Sequence, residues 1–161
     1  MTHGPILVVS ADERWLRALE VTIRLGGAET ISRRSVGDAV RSNAVEGTEP
    51  SAIVVDIGAQ TTTDEMDEVV VLVQVHSTHA VVIVPESLAS DRGRFESVGA
   101  TVLVRPYRPS ELFAALWPGD PAKVPSVEDE SLGLDEDPHE VPAAPQDGAA
   151  IDVPTSDLNG G

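Results

Sequence analysis

The chain has 161 residues, a formal net charge of −16, no cysteine and only 3% aromatic residues. That length fits one domain. The missing cysteines exclude disulfides, thiolate metal sites and cysteine nucleophiles, and the negative charge opposes a general affinity for nucleic acid phosphates.

The charge is unevenly spread. Eleven of the 27 acids but only one of the 11 bases, Lys123, fall from Pro118 onward, leaving sixteen acids against ten bases in residues 1–117. The opening Met1-Thr2-His3-Gly4-Pro5 lacks the basic region of a signal peptide. The longest apolar runs fall far short of the ~20 residues of a membrane span. A cytoplasmic protein without membrane contact is expected.

Ile6-Leu7-Val8-Val9 reads as a buried strand. Ser10, with Glu13 three residues on, has the spacing of a capping box. Trp15, Leu16, Leu19 and Ile23 then recur at helical spacing until Gly26-Gly27, so both the cap and Trp15 are expected to serve the helix and its core. Glu29–Ser32 predicts a weaker second strand. Ser35 and Asp38 open a second helix carrying Val36, Ala39, Val40 and Ala44, which Gly47 closes. Ser51–Val55 is the clearest central strand and leads into Asp56.

The stretch Val69–Val75 has strand propensity. However, Met66, Val69, Val70 and Val73 fall on i, i+3, i+4, i+7, and Thr61 or Thr62 can cap the start. A helix is therefore predicted. Ala80–Val84 is a fourth strand, stopped by Pro85. Ser90–Val98 is a short helix with Phe95 and Val98 inward, weakened by Gly93. Thr101–Val104 is a fifth strand, broken by Arg105-Pro106. Glu111–Trp117 forms a last helix with Leu112, Phe113 and Leu116 on its apolar face.

Strands alternating with helices predict an α/β fold, with helices on both faces of a five-stranded parallel sheet and a functional crevice at the carboxyl ends of the strands. Residues 1–117 are the expected domain. From 118 to 161 prolines recur among acids without apolar periodicity, which predicts a disordered acidic tail.

Two strand ends carry the charged residues of interest, Asp56 and Arg105. Together with Ile6–Asp12, Gly99-Ala100 and Leu103-Val104-Arg105-Pro106-Tyr107, they make the chain resemble response-regulator receiver domains over roughly residues 5–117. The resemblance implies a flavodoxin-like, CheY-like doubly wound sheet in the order 2-1-3-4-5 and a role in two-component phosphorelay signalling. It makes Asp56 the candidate acceptor of a phosphoryl group from a histidine kinase. In that family two acids after the first strand help hold Mg²⁺. A Thr or Ser after the fourth strand and a lysine before a proline after the fifth contact the phosphoryl group.

This sequence departs at several of those places. Ser10 and Ala11 stand where the acidic pair belongs, and Asp12 lies one place late. Pro85 replaces the hydroxyl residue, Arg105 the lysine, and Val102 the aromatic residue of the fifth strand. Asp12 and Asp56 are thus the only candidate carboxylates for an incomplete Mg²⁺ site, and Arg105 is either a phosphoryl contact or a lock on Asp56. The resemblance implies a histidine kinase or another signalling protein as partner, with a homodimer through the last helices also considered.

The alternative is a pseudo-receiver that docks proteins without phosphorylation. An enzyme is not expected, because no nucleophile–base pair is evident. Neither a Gly-x-Gly-x-x-Gly nor a Gly-x-Ser-x-Gly motif is present. His76 and His79 are read as loop histidines rather than a metal pair. Arg33-Arg34 and Arg92/Arg94 are read as solvated basic spots, and Trp117 as core.

Overall fold

The computed structural model describes residues 4–47, 49–76 and 78–120. Beyond residue 120 the expected tail lies outside the described residues.

Five strands, β1 (Ile6–Ser10), β2 (Thr30–Arg33), β3 (Ala52–Asp56), β4 (His79–Val84) and β5 (Thr101–Val104), form one sheet in the order β2-β1-β3-β4-β5. Every neighbouring pair is parallel. Parallel neighbours cannot be joined by hairpins, so each connection crosses over, here through a helix. The helices are α1 (Glu13–Leu25), α2 (Val36–Glu46), α3 (Thr63–Val75), α4 (Arg92–Glu96) and α5 (Pro109–Leu116), with a 3₁₀ turn at Glu86–Asp91 before α4.

The continuous apolar runs serve both faces of the sheet, because successive strand residues point to opposite sides. Leu7, Val9, Ile53, Val55, Val82 and Val84 pack with Met66, Val69, Leu72 and Phe95 from α3 and α4. Ile6, Val8, Val54, Val81 and Ile83 pack with Leu16, Leu19 and Ile23 of α1 and Leu112 and Leu116 of α5. The predicted α/β class, strand order and sheet sense are all observed.

Local differences have local causes. The α1 cap is Asp12, whose carboxylate accepts from Arg14 N and Trp15 N, and no Ser10–Glu13 box forms. Ser10 stays in β1, paired in register with Asp56. The ambiguous valine-rich stretch is a helix, started by a reciprocal Thr62–Glu65 capping box, with Leu72 added to the predicted buried stripe. The single helix expected over 90–98 is instead the end of a 3₁₀ segment, itself non-helical at Leu88, followed by five α-helical residues. Gly93 in so short a helix disfavours a longer one. In the second helix Ala39 is buried while Val40 is exposed; the side chain of Ala44 lies outside the described residues.

The last helix begins at Pro109, a residue the sequence offers as a helix start because its missing amide proton costs nothing in the first turn, and ends at Leu116. No helix among the described residues is long and apolar enough to cross a membrane.

Candidate functional site

Asp56 closes β3 at the carboxyl edge of the sheet, between Ser10 of β1 and Ile83 of β4 in register. It is buried, at 8% exposure, and with Ser10 forms the buried polar pair of the core. The Ser10 hydroxyl donates to Asp56 Oδ2 at 2.8 Å. The same hydroxyl oxygen accepts from Asp12 N at 3.2 Å, which joins the β1–α1 turn to the carboxylate.

Arg105 follows β5, two strands away. Its backbone amide donates to Val84 O at 2.9 Å, extending the β4–β5 ladder by one bond. Strands lie about 4.8 Å apart, so only a long side chain from this position reaches β3 across the end of β4. That end is Pro85, with neither hydroxyl nor amide proton to offer. The guanidinium arrives with Nη2 3.0 Å from Asp56 Oδ1 and 2.6 Å from Ile57 O. The Ile57 carbonyl takes the aligned hydrogen bond. The approach to Asp56 is ionic without hydrogen-bond alignment, and Asp56 Oδ1 and Arg105 Nε are buried without a hydrogen-bond partner among the described residues.

Trp15 completes the arrangement. The Arg105 guanidinium carbon lies 4.9 Å from the centroid of its ring, within cation–π range. Trp15 is therefore a correction to the expected core residue: it is 38% exposed and forms a wall of the site. Trp117 does pack against the core and stacks on Phe113, with ring centroids 5.6 Å apart.

A cavity of about 640 Å³ opens in front of these groups, lined among others by Asp12, Trp15, Asp56, Thr61 and Arg105. Burial raises the Asp56 pKa above the ordinary carboxylate value. The Ser10 hydrogen bond and the Arg105 charge oppose that rise, and the Asp12 charge adds to it. Tyr107, two residues after Arg105, has its phenol pushed up to about 12, first by burial and then by the Asp56 charge. It is a neutral hydroxyl at any physiological pH.

The residues present do not suit a divalent cation. Mg²⁺ takes oxygen ligands in near-octahedral geometry, usually with one or two carboxylates. Asp12 turns its Oδ1 into the start of α1, 2.8 Å from Arg14 N. Ala11 has no ligand atom, and a guanidinium stands beside Asp56 Oδ1. Among the described residues no group of three or more His, Asp or Glu could hold a metal ion.

The remaining sequence features separate from the site. His79 belongs to β4 rather than to a loop, and its ring nitrogen meets the Ala115 carbonyl of α5. His76 ends α3. The basic spots are engaged in surface pairs, Arg34 with Glu13, Arg92 with Glu96 and Arg94 with Asp67. The role of Ser10 escaped the sequence reading. Its signal was its place as the last residue of an apolar strand next to the one that ends in Asp56.

No protein-family model and no curated protein matches this sequence. Solved structures do match. The chain is similar to a response regulator receiver domain protein from Clostridium thermocellum, at 15% identity and a TM-score of 0.61, over 70% of this chain and 90% of that one. A response regulator receiver protein from Burkholderia phymatum matches at 20% identity and a TM-score of 0.58, over 70% and 94%. The chemotaxis protein CheY4 of Vibrio cholerae matches at 19% identity and a TM-score of 0.59, over 71% and 97%. The fold of this chain is that of receiver domains.

Proposed function

We propose that this chain is a receiver-like signalling module that docks protein partners with Asp56 held in an internal ion pair, independently of phosphorylation and of a divalent cation. One observation carries the reading. Both oxygens of the Asp56 carboxylate are taken from within the fold, Oδ2 by the Ser10 hydroxyl and Oδ1 by the Arg105 guanidinium.

Phosphoryl transfer depends on positioning and on neutralising the developing charge. Here the neutralising charge is an arginine already in place, and the attacking oxygen is buried beneath it. Arginine's planar fork does not replace the compact ammonium of a lysine. The residues that would relay a phosphoryl signal are missing as well, since Pro85 carries no hydroxyl and Val102 no aromatic ring. The docking face is the surface of α4, β5 and α5, with β5 at the sheet edge, and the partner is another signalling protein.

A second reading, with Asp56 as phosphoacceptor for a histidine kinase, draws on the cavity in front of the carboxylate, which leaves room for a donor if Arg105 turns aside.

The two readings separate on incubation of the full chain with Mg²⁺ and acetyl phosphate. The docking reading predicts no phosphoryl adduct by intact mass under conditions that label an ordinary receiver, and a partner bound equally well by wild type and Asp56→Ala. A Mg²⁺-dependent adduct that disappears in Asp56→Asn establishes the phosphoacceptor instead.

A further inference from the structure

We propose that Arg105 and Trp15 form a latch on Asp56, in which stacking on the indole holds the guanidinium over the carboxylate and loss of the stack uncovers it. The inference rests on the docking reading above and adds what governs access to the same carboxylate.

Three observations converge on it. First, the guanidinium ties three segments together: it bonds Ile57 O after β3, approaches Asp56 Oδ1, and lies against Trp15 in the first turn of α1. Second, the pair is incompletely satisfied. Two buried polar atoms, Asp56 Oδ1 and Arg105 Nε, make no hydrogen bond among the described residues, and leaving such atoms unpaired is unfavourable. The Ile57 bond and the ionic attraction hold one end of the guanidinium, and the indole face supports it from the side.

Third, Trp15 and Arg105 form a wall between two cavities. One is the polar crevice over Asp56. The other is an apolar groove of about 410 Å³ between α1 and the β5–α5 connection, lined also by Ala18, Pro106, Tyr107 and Leu112. A movement of the indole is therefore felt on both sides of the wall.

The test reads the accessibility of the carboxylate directly. The full chain is treated with a water-soluble carbodiimide and glycine ethyl ester, and modification of Asp56 is measured by peptide mass mapping. Trp15→Leu keeps bulk but removes the π face, and Trp15→Phe keeps both. Labelling of Asp56 should rise about three- to tenfold in Trp15→Leu, as expected for losing one cation–π contact, and stay near wild type in Trp15→Phe. Arg105→Ala should label at least as strongly. Adding Trp15→Leu to Arg105→Ala should then change nothing, because the indole acts through the guanidinium.

Equal labelling of wild type and Trp15→Leu overturns the latch. So does an additive rise in the double variant, which would make Trp15 a simple cover. Circular dichroism of each variant confirms that it is folded. Failure of the docking reading appears separately, as acetyl phosphate labelling of the wild-type chain.

Discussion

Arg105→Ala is expected to destabilise the domain by about 3 kcal/mol at neutral pH, the scale for stripping one partner from a buried ion pair. The loss has two sources. The Asp56 carboxylate, with its side chain 3% exposed, is left with the Ser10 hydroxyl as its hydrogen-bond donor. The Ile57 carbonyl also loses its guanidinium donor.

The pH dependence follows from the direction of the Asp56 shift. Burial already raises its pKa in the folded chain. Such a group favours folding below its unfolded value of about 3.9 and withdraws that contribution as pH rises through the folded value. Removing Arg105 removes a charge that opposes the rise, so the penalty extends to higher pH. Urea unfolding should show a small difference between Arg105→Ala and wild type near pH 4 that widens toward neutrality. Asp56→Asn in the same chain should recover most of the loss, because it removes the stranded charge. A loss that is constant with pH and unrelieved by Asp56→Asn would show that Arg105 matters only through packing.

Phe95→Ala is the second large effect, at about 3–5 kcal/mol. Phe95 is fully buried and is the only buried residue of α4, while the preceding 3₁₀ turn has none. The segment between β4 and β5 is thus fastened to the sheet mainly by one ring, aided by the partly buried Leu88 and Val98. Because the two faces of the sheet have separate cores, the damage should be local. Amide exchange should accelerate over residues 86–99, while α1 and α5 keep their protection. A loss below about 1 kcal/mol would mean that the site collapses around the smaller side chain.

The fold was legible because four short apolar runs, at Ile6, Ile53, Val81 and Val102, read as buried strands alternating with helical stripes, and because Pro85 and Pro106 stop the last two. Asp56 was legible as the single acid terminating such a run, and Arg105 as the base before a proline at the matching edge. The rest was less accessible for physical reasons. Ser10 and Asp12 both have the chemistry of a helix cap, and the choice between them is made by the β1–β3 register, which holds Ser10 opposite Asp56. Trp15 has the spacing of a core residue, but its partner is a charge ninety positions later in the chain, and helical periodicity carries no trace of that contact. His79 reads as a loop residue because its apolar run starts one residue later, yet it pairs with Ala52 as the first residue of β4. The break before α4 depends on how the chain turns after Pro85, which no local pattern specifies.

The most direct measurement is thermal unfolding of the full chain with and without Mg²⁺ and beryllofluoride, which together mimic the phosphorylated carboxylate. A ligand that binds only the folded state raises the melting temperature, by about 10 °C at a hundredfold excess over its Kd for a domain of this size. With Asp56 neutralised by Arg105, the melting temperature should not move, and wild type and Asp56→Ala should respond alike. A clear rise in wild type that Asp56→Ala abolishes would contradict the account, because it would mean the carboxylate is open to a metal and a phosphoryl group.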